Sequence, residues 1–386
     1  MTKDIILYGS TGSIGVNTLS IIENTDKEYN IIALACNNNY QLLSVQARKF
    51  KPKYIIINDS KYYNNLKDEL SDLNNITILH GSDWLYKIAQ IKCDLFISAI
   101  VGIAGLMPTY NAIKAGSNIA LANKESLICA GQFMMDLCTK NNINILPIDS
   151  EHNAIFQILN NKEKIHINNI ILTASGGPLF NKNINLKDVT ISQATNHPNW
   201  KMGKKISVDS ASMMNKALEV IEAYYLFSFH IDQIDVVIHP QSIIHGLINY
   251  NDGATHAVMS RADMKVPISY ALSFPKRDYF HNEILDLCKI RNLEFYEVDH
   301  KRFAAVNIAK ETLKKGGNMP TIFNIANEIA VDNFLKNNIT FDNIINIVSD
   351  SLDKISYCKF DDIENIIDYS GQINDQISLI AKKYFK

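Results

Sequence analysis

Seven short apolar runs divide residues 4 to 149: "DIILYG", "YNIIALAC", "KYIIIND", "NITILHG", "CDLFISAIVG", "SNIALAN" and "INILPID". Several are β-branched and nearly unbroken, as expected of parallel strands covered on both faces. Between them lie mixed stretches such as Val16 to Asn24 and Tyr40 to Phe50, which read as helices. Strand and helix in alternation predict a doubly wound α/β domain over residues 1–149.

The pattern changes after residue 150. "NNIILTASGGPLF" and "DVVIHPQSIIHGLINY" read as strands and "SMMNKALEVIEAYYLF" as a helix, giving a central α/β domain over 150–275. The polar stretch at about 180–205 is long enough for a functional loop. Residues 276–300 read as a connector. From 301 to 386 apolar residues recur at helical spacing without strand signals, so a C-terminal helical bundle is expected.

Bulk properties exclude several classes. A chain of 386 residues, 47% hydrophobic and 20% charged, has apolar matter for more than one core. Its net charge of −2 offers no basic footprint for nucleic acid. No run approaches the ~18 apolar residues of a membrane span. The start of the chain enters a strand at Asp4 without a leader pattern, so a cytoplasmic location is expected unless a transit peptide has been removed. None of the six cysteines forms C-x-x-C, which argues for free thiols in a reducing compartment.

"DIILYGSTGSIGVNTLSII" places Gly9, Gly12 and Gly15 between the first strand and the first helix. Such glycines let the backbone turn tightly beside a pyrophosphate, which the helix N-terminus attracts. The spacing is G-x-x-G-x-x-G, and its place in a Rossmann-like pattern argues for dinucleotide binding. The second run ends in Asn37-Asn38-Asn39. No acid is present there for an NAD ribose and no base for a 2′-phosphate, so the lean toward NADP is weaker than the fold prediction. Tyr63 and Lys67 share the spacing of a reductase Tyr-x-x-x-Lys pair but lie too near the first strand to act as one.

The run "ILPIDSEHNAIFQ" ends on carboxylates. Continued as a strand, it would put Asp149 and Glu151 on one face. Two close carboxylates call for a cation, and oxygen donors suit Mg²⁺ or Mn²⁺. A solvated strand end is the alternative. In "SVDSASMMNKALEVIEAYYLF", Asp209 or Ser210 can cap a helix on which Asn215, Lys216 and Glu219 share a face. Ser210, Asn215 and Lys216 suit a phosphate, and Glu219 could join the metal ligands. A capped helix with one ion pair is the alternative. Asn123, Lys124 and Glu125 form a third polar cluster at a strand end, where Lys124 could neutralise an oxyanion.

Together these stretches resemble the 1-deoxy-D-xylulose 5-phosphate reductoisomerase family. The motifs are "GSTGSIG" (9–15), "ALANKESL" (120–127), "IDSEHNAIFQ" (148–157), "LTASGGP" (172–178), "HPNWKMGKKISVDSASMMNKALEVIEA" (197–223), "HPQSIIHG" (239–246) and "NIANE" (324–328). The resemblance implies a three-domain homodimer that takes a small sugar phosphate, with no nucleic-acid or membrane partner. It would use NADPH and Mn²⁺ or Mg²⁺ to isomerise and reduce 1-deoxy-D-xylulose 5-phosphate to 2-C-methyl-D-erythritol 4-phosphate. By the same resemblance Asp149, Glu151 and Glu219 would hold the metal. Gly9, Thr11, Gly12, Ser13, Ile14, Asn123, Glu125 and Gly203 would border the cofactor, with Asn37, Asn38 and Asn39 at its ribose. Lys124, Ser150, Glu151, Ser175, His197, Trp200, Ser210, Asn215, Lys216 and Glu219 would meet the substrate, Trp200 from a flexible flap. Lys124, Asp149, Glu151, His197 and Glu219 are the catalytic candidates, and the general acid or base stays open among Lys124, Glu151 and metal-bound water. The Asn37–Asn39 turn departs from the Gly-Lys/Arg-Asn-like turn of many members, and Lys201 is an ordinary variation in the flap. An oxidoreductase of homoserine-dehydrogenase-like type is the alternative, and it would need no metal triad.

Overall fold

The computed structural model describes residues 2–159, 163–200, 203–278, 280 and 282–386, so Lys201 lies outside the described residues. The chain divides into two compact units. The first holds Met1–Ser126, Met134–Asn153 and Asp263–Glu283, and the second holds Leu127–Phe133, Ala154–Ala262 and Ile284–Lys386.

In the first unit the seven apolar runs form seven parallel strands: β1 (Lys3–Tyr8), β2 (Tyr29–Cys36), β3 (Tyr54–Ile57), β4 (Thr77–His80), β5 (Leu95–Ser98), β6 (Asn118–Leu121) and β7 (Ile145–Pro147). Their order is β4-β3-β2-β1-β5-β6-β7. Ile5 to Tyr8 of β1 are fully buried, which is why these four side chains are apolar apart from the Tyr8 hydroxyl, and that donates to Leu85 O at 2.7 Å. The Lys265–Ser273 helix also belongs to this unit and packs on the Ser13–Glu23 helix. The strand order reverses direction beside β1, between β2 and β5. Ligands of such sheets collect at that switch point, beyond the carboxyl ends of the strands.

Gly9 leaves β1 at this point with φ +82°, and its N–H donates to Ala35 O at 2.9 Å. A Cβ there would lie 2.2 Å from Ala99 O, just past β5. A Cβ on Gly15 would lie 2.4 Å from Gly9 O. Both positions demand glycine on backbone grounds. Gly12 has φ −80° and would bring a Cβ no nearer than 3.4 Å to its neighbours, so its backbone does not.

The second unit holds β8 (Ile167–Ala174), β9 (Ile234–Ile238), β10 (Ile244–Tyr250) and β11 (Thr255–Met259), ordered β11-β10-β8-β9. β8 and β9 run parallel, and β10 is antiparallel to both β8 and β11. The Met214–Phe227 helix packs on this sheet and on the Ala305–Lys315 helix. Three further helices follow, Met319–Leu335, Asn343–Lys354 and Ile363–Lys382. In the last, Ile363, Ile366, Ile373, Ile377 and Ile380 are buried at helical spacing, so one stripe meets the core.

Two local expectations are corrected. The β7 strand stops at Pro147, and Ser150–Leu159 is a helix. Asp149 O accepts the Asn153 N–H at 2.8 Å, the first bond of that helix. Asp149 and Glu151 therefore do not share a strand face; one precedes the helix and the other sits in its first turn. Asp209 and Ser210 do not cap the Met214–Phe227 helix. They lie inside a separate Lys204–Ala211 helix, and Met213, at φ +62°, separates the two. The polar stretch after Phe180 is partly ordered by a helix at Ile191–Thr195, closed by a reciprocal Thr190–Gln193 capping box. Among the described residues, no helix is long and apolar enough to cross a membrane.

The two glycine environments separate on substitution. Gly9→Ala should cost about 2 kcal/mol or more, through its positive φ and the clash with Ala99. Gly12→Ala should cost less than about 1 kcal/mol, that of a changed helix cap. Denaturant midpoints measure both, and equal losses would contradict the assignment.

Candidate active site

Each unit carries its own polar constellation. In the first, the Ser13–Glu23 helix begins at Gly12 with no side-chain cap and no acidic residue in its first turn. The N–H groups at Ser13 and Ile14 thus stand at a helix N-terminus open to an anion. Gly12 and Ser13 are exposed, and Thr11 and Ile14 half-buried. Asn37, Asn38 and Asn39 follow β2 on the surface.

Asn123 caps the Lys124–Asn141 helix and is 1% exposed. Its Oδ1 accepts from Ser126 N at 2.8 Å and from the Ser126 hydroxyl, and its Nδ2 donates to Gly102 O at 2.8 Å and to Ile100 O. That exhausts the amide, so the side chain fixes the loop after β5 and has no hydrogen bond left for a cofactor. Glu125, in the first turn, is buried.

Lys124 Nζ meets Asp149 Oδ2 at 2.7 Å, with both side chains about four-fifths buried. Ser150 Oγ donates to Glu151 Oε2 at 2.5 Å. His152, one turn after Asp149, is fully buried and places Nδ1 3.8 Å from the same Asp149 oxygen. The structure thus gathers Lys124, Asp149 and His152, and pairs Ser150 with Glu151. The sequence analysis gave His152 no role; its i+3 spacing from Asp149 was the available signal.

In the second unit, Gly176 and Gly177 turn the chain out of β8 with φ +78° and +65°. A Cβ on Gly177 would lie 2.6 Å from Ser210 O, so glycine is what lets this turn lie against the Lys204–Ala211 helix. Ser175 Oγ sits 2.9 Å from His197 Nε2 and accepts from Gly177 N at 3.1 Å. His197 Nδ1 accepts two backbone N–H groups, those of Asn199 and Trp200, each at 3.1 Å. A neutral ring with Nδ1 accepting carries its proton on Nε2, which donates to Ser175. The Ser175 hydroxyl proton then remains to donate outward. Burial lowers the His197 pKa and favours this neutral ring.

Gly203 caps the Lys204–Ala211 helix at an exposed position where a Cβ would meet nothing. Ser210 is half-buried near the end of that helix. On the Met214–Phe227 helix, Glu219 is 0% and Lys216 3% exposed. The Asn215 amide donates to Glu219 Oε1 and the Lys216 ammonium to Glu219 Oε2. The i,i+3 and i,i+4 spacings thus cluster as read from the sequence. An ammonium has three donors, and Glu219 accepts one of those of Lys216. Trp200 approaches His245 edge-on at 6.4 Å between ring centroids, and Asn199 Nδ2 donates to Pro240 O at 2.5 Å. These contacts give the "HPQSIIHG" segment a place beside the flap that sequence reasoning had left without a role.

Comparison with known proteins agrees along the chain. Profiles of 1-deoxy-D-xylulose 5-phosphate reductoisomerase, of its C-terminal domain and of the DXP reductoisomerase C-terminal domain match residues 5–131, 145–227 and 259–375. The 1-deoxy-D-xylulose 5-phosphate reductoisomerase of Thermoanaerobacter sp. (strain X514) is 45% identical over 386 residues, 100% of both chains. The chain belongs to the 1-deoxy-D-xylulose 5-phosphate reductoisomerase family.

The reductoisomerase of Wolbachia pipientis subsp. Culex pipiens (strain wPip) is 44% identical, over 95% of this chain and 93% of its own. The solved reductoisomerase from Zymomonas mobilis in complex with NADPH superposes with a TM-score of 0.93 at 38% identity, covering 99% of this chain and 100% of that one. A DOX-P reductoisomerase solved with NADPH, fosmidomycin and magnesium gives a TM-score of 0.92 at 37% identity, over 99% and 98% of the two chains. Membership along the whole chain displaces the homoserine-dehydrogenase-like alternative.

The His197 geometry predicts a pH response. Its lowered pKa means that the 197–200 turn is favoured above the ordinary value of 6.5 and loses that support as pH falls through the lowered value. Trp200 fluorescence, read with Trp84→Phe to leave one tryptophan, should show an acid transition that His197→Gln removes. A transition unchanged in His197→Gln would contradict this.

Proposed function

We infer that the protein converts 1-deoxy-D-xylulose 5-phosphate to 2-C-methyl-D-erythritol 4-phosphate, using NADPH and a divalent cation. The observation that carries this reading is the 45% identity to a reductoisomerase over an alignment that spans the full chain. The residues fit both helpers. The uncapped helix after Gly12 and the space at that glycine suit a pyrophosphate. Asp149, Glu151 and Glu219 offer only oxygen donors, the chemistry that Mg²⁺ and Mn²⁺ prefer.

In this reading the division of labour follows the sequence, with cofactor binding in 1–149, chemistry in 150–275, a connector at 276–300 and a helical domain beyond. The Ser175 and Ser210 hydroxyls, the Asn215 amide and the Lys216 ammonium bind the phosphate and hold the sugar still. A cation shared by Asp149, Glu151 and Glu219 would polarise the sugar's carbonyl and stabilise developing oxygen charge. NADPH would supply the hydride that reduces the rearranged aldehyde. Lys124 orients Asp149 and offers a proton near the reacting oxygens. Ser150 holds Glu151 and lies next to the sugar. His197 holds the 197–200 turn, and Trp200 covers the sugar and excludes water.

The direct test follows NADPH oxidation by absorbance with 1-deoxy-D-xylulose 5-phosphate, with Mn²⁺ or Mg²⁺ and then with chelator. Oxidation that needs both sugar and metal is expected, and Glu219→Gln should lower kcat by about a hundredfold or more. Oxidation that persists in chelator, or none from folded protein, would overturn the reading. The reading also includes a cytoplasmic homodimer. Light scattering should give twice the chain mass of 43.6 kDa, and a single-chain mass at working concentration would refute the dimer.

A further inference from the structure

In a sheet of this kind the residue leaving the second strand meets the adenine-side ribose, where a cation marks the 2′-phosphate of NADPH. Here that exit is uncharged. β2 ends at Cys36, and the next three residues are asparagines. Two of their amides already have internal work. Asn39 Oδ1 accepts Leu42 N at 3.2 Å to cap the Tyr40–Phe50 helix, and Asn37 Oδ1 accepts Asn58 Nδ2 at 3.1 Å.

The same contacts attach the exit of β3 to this turn. Asn58 N donates to Cys36 O and Asp59 N to Asn37 O, each at 2.9 Å. The Tyr62 ring stacks on Tyr40, the residue after Asn39, with centroids 5.7 Å apart and planes 21° from parallel. Lys61 Nζ lies 5.5 Å from the Tyr62 ring centroid. Lys61 is exposed and, among the described residues, has no ion-pair partner. The cations of the neighbouring Tyr40–Phe50 helix are committed elsewhere, Arg48 to Asp72 and Lys49 to Glu23. One carboxylate opposes an anion here: Asp59, whose Oδ1 accepts Lys61 N at 3.1 Å.

We propose that Lys61, delivered from the β3 exit and resting on the Tyr62–Tyr40 stack, pairs with the 2′-phosphate of NADPH in place of the base missing from residues 37–39. The proposal rests on the reading that this unit binds NADPH. A lysine on a long flexible stem acts there as a point charge, and the nearby Asp59 keeps the preference modest. Lys61 thereby sets the choice between NADPH and NADH.

Fluorescence titration of the metal-free, substrate-free protein tests this without turnover. Lys61→Ala should weaken NADPH binding about tenfold and Lys61→Glu more, while NADH binding changes by less than about twofold. Unchanged NADPH binding, or equal loss for both dinucleotides, would overturn the assignment of Lys61 and leave the NADPH reading standing. A wild-type chain that binds neither dinucleotide would overturn that reading and the proposal with it.

Discussion

A carboxylate with none of its surface in water has to be met by positive charge or by hydrogen bonds. Glu219 is in that position, and Lys216 and Asn215 on the same helix meet it. Leaving either charge of such a pair buried alone costs about 3–5 kcal/mol, whereas a well-packed apolar pair in its place is often no less stable. Stability therefore gives little reason to keep these groups in a core of Leu218, Ile221 and Val220. Under the proposed function the pair is preassembled binding chemistry, carried by one helix. The neighbouring features follow from that placement. Met213, in a left-handed conformation, separates this helix from the Lys204–Ala211 helix before it, and Gly177 lets the Ser175 turn lie against that earlier helix at Ser210.

The first unit meets its own constraint with backbone. A loop crossing the switch point between β1 and β5 has no room for side chains where it passes Ala99 and turns back on itself. Gly9 and Gly15 satisfy the packing, and Gly12 leaves the helix N-terminus open. Under the proposed function, packing and recognition thus fall on different glycines of one motif. At the far end of this sheet edge, the Asn37 turn and the β3 exit are tied by backbone bonds into one surface, so a residue from either can serve the same ligand.

Much of this was legible in the sequence because periodicity reports burial. Strands covered on both faces need unbroken apolar runs, and all seven were readable; their spatial order was not, since pairing depends on crossovers that leave no local mark. The Lys216–Glu219 and Asn215–Glu219 contacts were legible because helix geometry fixes them. The strand reading of Asp149 and Glu151 failed because an apolar run shows where burial ends and not what the backbone does next. Ala154, Ile155 and Ile158 carried the helical period that decided it. The cap assigned to Asp209 or Ser210 failed because a left-handed methionine gives no compositional signal of a helix break. Thr190 and Gln193, by contrast, spell a capping box in plain sequence. The empty charge at residues 37–39 could be seen, but the contribution of β3 required the fold.

The proposed function assigns one divalent cation to Asp149, Glu151 and Glu219, and direct metal binding tests that proposal. Electron paramagnetic resonance of free Mn²⁺ should show one bound ion per chain in the wild type. Affinity should fall about tenfold or more in Glu219→Gln and in Glu151→Gln alike. Undiminished binding in Glu219→Gln, with the fold intact, would contradict the shared site.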